Sequence, residues 1–323
     1  MHVMVTGANG FVGAHLCSHL ADIGHIVTAV VRRPGTAPAG TREIVVADGN
    51  EVDAWKDKLI GQETVIHLAA RVHVMKDDSV DPLGEFRLVN SAATLQLARS
   101  AAEQNVGRFV FLSSIKVNGE STEGVGFTAM DEANPQDPYG VSKWEAEQGL
   151  RRLERTTQMQ VVIVRTPLVY GPGVRGNFLR SLRIASRAVP LPFKSVRNRR
   201  TLASVWNLTD LLARSASESG AAGALVLAGD ERSPSTAELF QTLRSAMGVR
   251  TRLFAVSPRL LRILGRLTGK SDLIVRLVGS LEVQSGSSSN GWGWEPPYSF
   301  EESIKRTVDW YVASENHGRV VRL

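Results

Sequence analysis

Residues 6–13 read TGANGFVG, between a short β-branched run, HVMVT, and a longer amphipathic one, FVGAHLCSHLAD. Three glycines at this spacing, after a strand and at the mouth of a helix, restrict the chain to few folds. Gly7 permits a tight turn, Gly10 lets the backbone come close to a pyrophosphate, and Gly13 lets the helix lie close against the strand. The helix N-terminus then turns its free N–H groups towards the phosphates. A lone glycine triplet carries little weight, but the strand before it and the helix after it supply the context it needs. The segment predicts the first unit of a parallel α/β sheet that binds a dinucleotide. Asn9, Phe11 and Val12 lie on the same turn and are expected beside the ligand.

The chain continues in the same alternation. HIVTAVVR, REIVVADG, TVIHLAA, RFVFLSS and QVVIVRTPLVYG read as strands. WKDKLIGQ reads as helical, and Asp81-Pro82 and Asp137-Pro138 each open a longer helix, with proline at the tolerated first position. The expected fold is α/β: a Rossmann-type doubly wound parallel sheet with helices on both faces. After YGPGVRGN, proline, arginine and glycine become frequent. Residues 1–170 are therefore assigned to the dinucleotide domain and 171–323 mainly to a smaller C-terminal α/β lobe for substrate, with 201–228 returning to the sheet. The apolar, arginine-rich run SPRLLRILGRLTGKSDLIVRLVG reads as a core-and-rim helix pair of that lobe, with a membrane-surface helix as the alternative. Ser287, Ser288 and Ser289 mark either a mobile lid or a connector.

At 323 residues, 43% hydrophobic and 22% charged, the chain suits a globular protein of one large and one smaller unit. No apolar run reaches the length of a membrane helix, so membrane insertion is not expected. MHVMVTG offers no leader pattern, and one cysteine, Cys17, fits a reducing cytoplasm. The net charge of +6 suits an anionic partner. Zinc-finger spacing, an RNA-binding aromatic pattern and internal repeats are missing, so neither a metal nor nucleic acid is expected.

The second strand ends in Arg32 and Arg33, where an NAD-binding chain usually carries an acid for the adenosine ribose. A cation there can pair with a 2′-phosphate, which favours NADP(H), with NAD(H) possible. Asp48 is expected near the adenine. YGVSK puts Tyr139 and Lys143 on one helix face. A tyrosine is a poor acid–base at neutral pH, and a nearby ammonium lowers its pKa towards the working range. Ser114, at the end of the preceding strand, can orient a substrate oxygen for proton transfer.

TGANGFVG, HLAA at 67–70, Asn90 in RLVNSAATLQLA, FVFLSS, YGVSK, VYGPG and GWEPPYSFEESIKRTVDW occur in order over nearly the whole chain. In this the sequence resembles the extended short-chain dehydrogenase/reductases of the NAD-dependent epimerase/dehydratase family, which act on nucleotide sugars. The resemblance implies a catalytic set of Ser114, Tyr139 and Lys143. It implies cofactor contacts from Leu68, Ala69, Ala70 and Asn90, and substrate contacts from Ser113 as well as Ser114. It also implies Asn177 and Arg200 at a diphosphate, Leu191 and Phe193 at uracil, and a homodimer built on helices 82–104 and 138–154.

Related dehydratases carry an acidic pair directly after the catalytic serine or threonine, and here those positions are Ile115 and Lys116, so 4,6-dehydration is not expected. FVFLSSIKVNGE looks most like bacterial reductases of UDP-4-keto-6-deoxy-N-acetylhexosamines in surface polysaccharide (lipopolysaccharide O-antigen) synthesis. A UDP-sugar 4-epimerase with tightly held NAD is the alternative. Two further positions depart from the family: Asn207 replaces an Asp, and LEVQSGSSSNGWGW lacks the Asp and Lys common before the GW turn.

Overall fold

The computed structural model describes residues 1–47, 54–72, 81–269 and 271–316. β1 (His2–Thr6), the glycine turn and α1 (Phe11–Asp22) lead to β2 (Ile26–Val31), β3 (Arg42–Val45) and β4 (Thr64–His67). α2 (Pro82–Arg87) and α3 (Ala93–Glu103) flank a π-helical turn at Leu88–Ala92, and β5 (Arg108–Ser114), α4 (Pro138–Thr156) and β6 (Gln160–Thr166) follow. The remainder comprises β7 (Leu168–Tyr170), α5 (Gly176–Ala185), β8 (Leu202–Ser204), α6 (Val205–Ser217) and β9 (Leu225–Leu227). α7 (Thr236–Ala246), α8 (Pro258–Leu267), α9 (Ser271–Val278) and α10 (Phe300–Asn316) close the chain.

Seven strands form one sheet in the order β3-β2-β1-β4-β5-β6-β9, with every neighbouring pair parallel. This is the doubly wound Rossmann-type arrangement. Strand order reverses between β1 and β4, which opens a crevice at their carboxyl ends. α1 and α6 cover one face through Leu16, Leu20, Leu208 and Leu212, and α3 and α4 cover the other through Leu97, Ala101, Ala146 and Leu150. A third core, around Tyr170, Phe178, Phe193, Phe240 and Phe300, belongs to the C-terminal lobe.

Local chemistry explains most boundaries. Asp81 accepts from the Gly84 amide at 2.9 Å and Asp137 from the Gly140 amide at 2.7 Å, capping α2 and α4. Gly7 has φ +67°, and a Cβ there would lie 2.9 Å from the Ala69 amide nitrogen. A Cβ on Gly13 would collide with the Gly7 carbonyl oxygen.

Three expectations differ. WKDKLIGQ holds only a short 3₁₀ turn at Lys56–Lys58, closed off by Gly61 at φ +76°. QVVIVRTPLVYG is broken at Pro167, which has no N–H for a ladder, so β7 leaves the main sheet and pairs with β8 instead. The serine segment is no lid: Leu227 N–H donates to the Ser287 carbonyl at 3.0 Å and Ser289 N–H to the Leu225 carbonyl at 2.8 Å. It covers the edge of β9, which would otherwise expose unpaired backbone groups. Asn207 also has a reason. Its amide donates to Asp230 at 2.7 Å and to the Tyr298 carbonyl at 2.9 Å, and an aspartate there would face a buried carboxyl.

His67 ends β4 inside the core. Its Nδ1 lies 2.7 Å from the Thr6 hydroxyl and its Nε2 3.0 Å from that of Thr94. Thr94 donates to the Asn90 carbonyl, so it accepts from Nε2–H, and the ring is neutral. Burial, with the Lys143 ammonium second, pulls the imidazole down to about 3. Below the ordinary value of 6.5 the unfolded chain takes up a proton that the folded chain refuses. This group therefore costs stability as pH falls from 6.5 towards 3, by up to roughly 1.4 kcal/mol per pH unit. Urea unfolding at pH 7 and pH 5 should show a steeper loss for the wild type than for His67→Gln. Parallel losses would show that His67 is not the acid-sensitive group.

Candidate active site

The carboxyl ends of β1, β4 and β5 and the first turns of α4 meet beside the glycine turn. Ser114 extends from the end of β5, where its Oγ accepts from the Lys116 amide at 3.3 Å. Its hydroxyl also hydrogen-bonds Tyr139, in the first turn of α4. Tyr139 packs edge-on against Phe86 of α2, with centroids 6.0 Å apart. One turn along, Lys143 Nζ donates to the Leu112 carbonyl at 2.8 Å and sits 4.2 Å from the centre of the Phe111 ring. The three residues expected to be catalytic thus converge at one edge of the sheet.

Their electrostatics differ from the expectation. Burial pushes Tyr139 up to about 12; the Ser114 bond pulls it down and the Asp137 charge raises it further. Burial also draws Lys143 down to about 7, opposed by Glu147. Lys143 is therefore held against a carbonyl and a ring, and the groups acting on the phenol are its own burial, Ser114 and Asp137. Tyr139 holds its proton at neutral pH.

Below this site lies a buried ion pair. Arg165 of β6 and Glu147 of α4 meet at 2.6 Å, 2% and 1% exposed. Ser113 donates to Glu147 at 2.5 Å, and Arg165 donates to Asn118 Oδ1 at 2.9 Å. This corrects the expectation for Ser113, whose hydroxyl is taken up by Glu147. Ser114 is the serine left to meet a substrate.

Asn90 sits fully buried on the π-helical turn. Its amide exchanges bonds with the Arg71 backbone at 2.8 and 3.0 Å and donates to Ser142 at 3.0 Å. With its polar atoms so engaged, it braces the segment after β4 against α4. Leu68 and Ala69 line the crevice wall through amide bonds to Thr6, and Ala70 follows, half-buried.

The glycine turn fits a dinucleotide. The start of α1 has no side-chain cap, and a Cβ at Gly7 or Gly13 would run into the backbone of Ala69 or of Gly7 and Ala8, so the tight turn that leaves the helix N-terminus open needs both glycines. Asn9 donates to Thr36 at 3.1 Å, which ties the turn to the loop after β2. Val12 packs on the sheet core, and the Phe11 ring lies against the lobe core. Arg32 and Arg33 are exposed, with no ion pair among the described residues. The acid nearest that loop in sequence, Glu43 of β3, accepts instead from the amides of Gly35, Thr36 and Ala37 at 3.0–3.1 Å. Asp48 lies outside the described residues.

On the lobe side, Asn177 is half-buried in the first turn of α5. Leu191 and Phe193 are buried, Phe193 stacked on Phe240 at 5.3 Å, so their side chains belong to the lobe core instead of reaching a base. Arg199 is paired with Glu282 at 2.7 Å, whereas the Arg200 guanidinium donates to the Gly279 carbonyl at 3.2 Å. Burial and the charge of Arg276 lower the pKa of Arg200, while Glu120 raises it. The Arg276 charge thus acts on the Arg200 guanidinium. Sequence reasoning missed Arg276, because it lies in a run that reads as one more arginine-studded amphipathic helix.

Ile115 is buried among Ala129, Leu227, Leu281 and Val283, and Lys116 pairs with Asp137 and, at 2.9 Å, with Glu120. Neither side chain is an acid or a free base. Among the described residues, no cluster of His, Cys, Asp or Glu could hold a metal, and no helix is long and apolar enough to cross a membrane.

Comparison with known proteins agrees with this geometry. The model of the NAD dependent epimerase/dehydratase family matches residues 3–218. A UDP-glucose 4-epimerase of Vibrio cholerae is 38% identical over 317 residues, 97% of this chain and 96% of that one. The N-acetyl-alpha-D-glucosaminyl-diphospho-ditrans,octacis-undecaprenol 4-epimerase of Escherichia coli O157:H7 is 28% identical over 65% of this chain and 62% of its own. Among solved structures, MoeE5 in complex with UDP-glucose and NAD superposes with a TM-score of 0.74 at 26% identity, covering 98% of this chain and all of that one.

Two substitutions test the site. Tyr139→Phe should lower turnover by roughly 10²–10⁴-fold, the usual worth of a positioned acid–base group, while fluorescence titration shows cofactor binding retained. Glu147→Ala leaves Arg165 buried and unpaired and should cost about 3–5 kcal/mol in urea unfolding. A loss below about 1 kcal/mol, the level of a surface pair, would mean that water already reaches it.

Proposed function

The chain belongs to the NAD dependent epimerase/dehydratase family, and from that premise we propose that it is an oxidoreductase acting at C4 of a UDP-sugar. Its reaction in this reading is NADPH-dependent reduction of the C4 keto group of a UDP-4-keto-6-deoxy-N-acetylhexosamine for bacterial surface polysaccharide. A bound nicotinamide supplies the hydride. Tyr139 gives its proton to the C4 oxygen, and Ser114 orients that oxygen. Lys143 would hold the ribose hydroxyls of that cofactor and, in its protonated form, offset the phenolate that forms. Arg200, Arg276 and the start of α5 with Asn177 receive the diphosphate.

The observation that carries this reading is the pair of exposed cations just after β2, which suits a 2′-phosphate and so the reductant NADPH. Both readings use Tyr139 as the group that carries the proton to or from the C4 oxygen. Arg32 and Arg33, exposed and unpaired among the described residues, support NADPH.

A second reading is a UDP-sugar 4-epimerase with NAD held through the catalytic cycle. It is favoured by the Vibrio cholerae relative, which matches almost end to end. In either reading we propose a homodimer formed through the outer faces of α2, α3 and α4 and the π-helical turn between α2 and α3, where Leu88 is 49% exposed.

Mixing the protein with NADPH and a UDP-4-keto-6-deoxy-N-acetylhexosamine should consume NADPH stoichiometrically. No consumption, with interconversion of UDP-N-acetylglucosamine and UDP-N-acetylgalactosamine, would establish the epimerase instead. Replacing Arg32 and Arg33 with alanine should lower the NADPH-to-NADH preference in kcat/KM by roughly ten- to a hundredfold, the worth of a charged hydrogen bond.

A further inference from the structure

α8 is amphipathic in an unusual direction. Leu261 and Gly265, one turn apart, face the lobe and are buried. Leu260, Ile263, Leu264 and Leu267 share another face by their spacing, and that face is open to solvent, with exposures from 46% to 79%. Arg259, Arg262 and Arg266 form an exposed stripe beside it. α9 packs against α8, and there Leu273 and Val275 are exposed as well. Across residues 257–281 the sequence holds four arginines and one lysine against one acid, Asp272.

We propose that the outer face of α8, with α9 beside it, docks this protein on an anionic bilayer surface. An apolar stripe bordered by arginines matches the boundary of a bilayer, where leucine and isoleucine side chains enter the acyl region and guanidiniums meet lipid phosphates. A second copy of the chain fits this face less well. A two-fold contact sets a patch against itself, so the arginine stripes would meet with a single acid nearby to offset them. The docking is peripheral, since the two helices have 10 and 8 residues and neither can span a membrane. α9 also carries Arg276, which neighbours Arg200, so docking brings the anion-binding end of the cleft close to the membrane.

The test uses the full chain, sedimented with vesicles of equal parts phosphatidylcholine and phosphatidylglycerol, and with phosphatidylcholine alone. Binding is expected to the first, not to the second, and to fall as salt is added. Arg259→Ala with Arg262→Ala should weaken partitioning roughly thirtyfold, about fivefold per arginine. Leu264→Glu with Leu267→Glu should abolish it. Both variants alter exposed side chains, and an unchanged melting temperature checks that they fold. The proposal fails if the wild type does not sediment with the anionic vesicles, or if it does so equally well after both pairs of changes. It also fails if sedimentation velocity shows a dimer that the leucine variant dissociates while vesicles bind neither form.

Discussion

The buried pair of Arg165 and Glu147 sets the geometry on which the rest of the site depends. It joins β6 to α4 and, through Ser113 and Asn118, fixes the end of β5 and the turn after it. Glu147 lies one turn beyond Lys143 and two beyond Tyr139, so the pair sets the rotation of the helix that carries both. Two charges removed from water are costly, and the cost is recovered only when every lone pair and proton finds a partner. That requirement turns an electrostatic liability into a positional constraint: α4 has one orientation in which the network closes. The serine next to Ser113 is then left facing the tyrosine.

The same dryness governs the protons. Lys143 and His67 are buried and Tyr139 is half-buried, and each is pushed towards its neutral form. His67 gains nothing from charge and serves as a neutral spacer between two threonines. The Tyr139 phenol keeps its proton, and Lys143 is left near the midpoint of its titration at neutral pH. A low-dielectric pocket holds both in these states until a ligand brings charge of its own. A pyridinium or an alkoxide beside these groups acts over short distances with little water to screen it.

Much of this was legible in the sequence because local rules and global fold agree. Gly7 and Gly13, the Asp-Pro caps of α2 and α4, and the spacing of Tyr139 and Lys143 are short-range signals, and the chain follows them. Interactions made across sequence distance were not legible. Nothing near Ser113 says that Glu147, in the next helix, will take its hydroxyl. Nothing in the helix pattern of Arg276 distinguishes it from the arginines on α8, and only the fold brings it to Arg200. The three serines at 287–289 have the composition of a mobile loop, yet their backbone completes the edge of β9. The π-helical turn at Asn90 likewise leaves no mark in the hydrophobic period.

The departure from the dehydratase pattern at Ile115 and Lys116 shows how sequence and structure combine. From the sequence it rests on residue type, since neither isoleucine nor lysine can do what an acidic pair does. The structure adds that these positions are committed elsewhere. Ile115 closes a small core under the cleft, and an acid there would be buried among Ala129, Leu227, Leu281 and Val283 without a partner. Lys116 bridges Asp137 and Glu120, and Glu120 in turn acts on Arg200. Charges of alternating sign therefore run from beside Tyr139 towards Arg200. A carboxylate at position 116 would place three acids together at the mouth of the site and release the restraint on Asp137. Asp137 raises the pKa of Tyr139, and Lys116 pairs with that carboxylate, so the lysine at position 116 stands one ion pair away from the tyrosine.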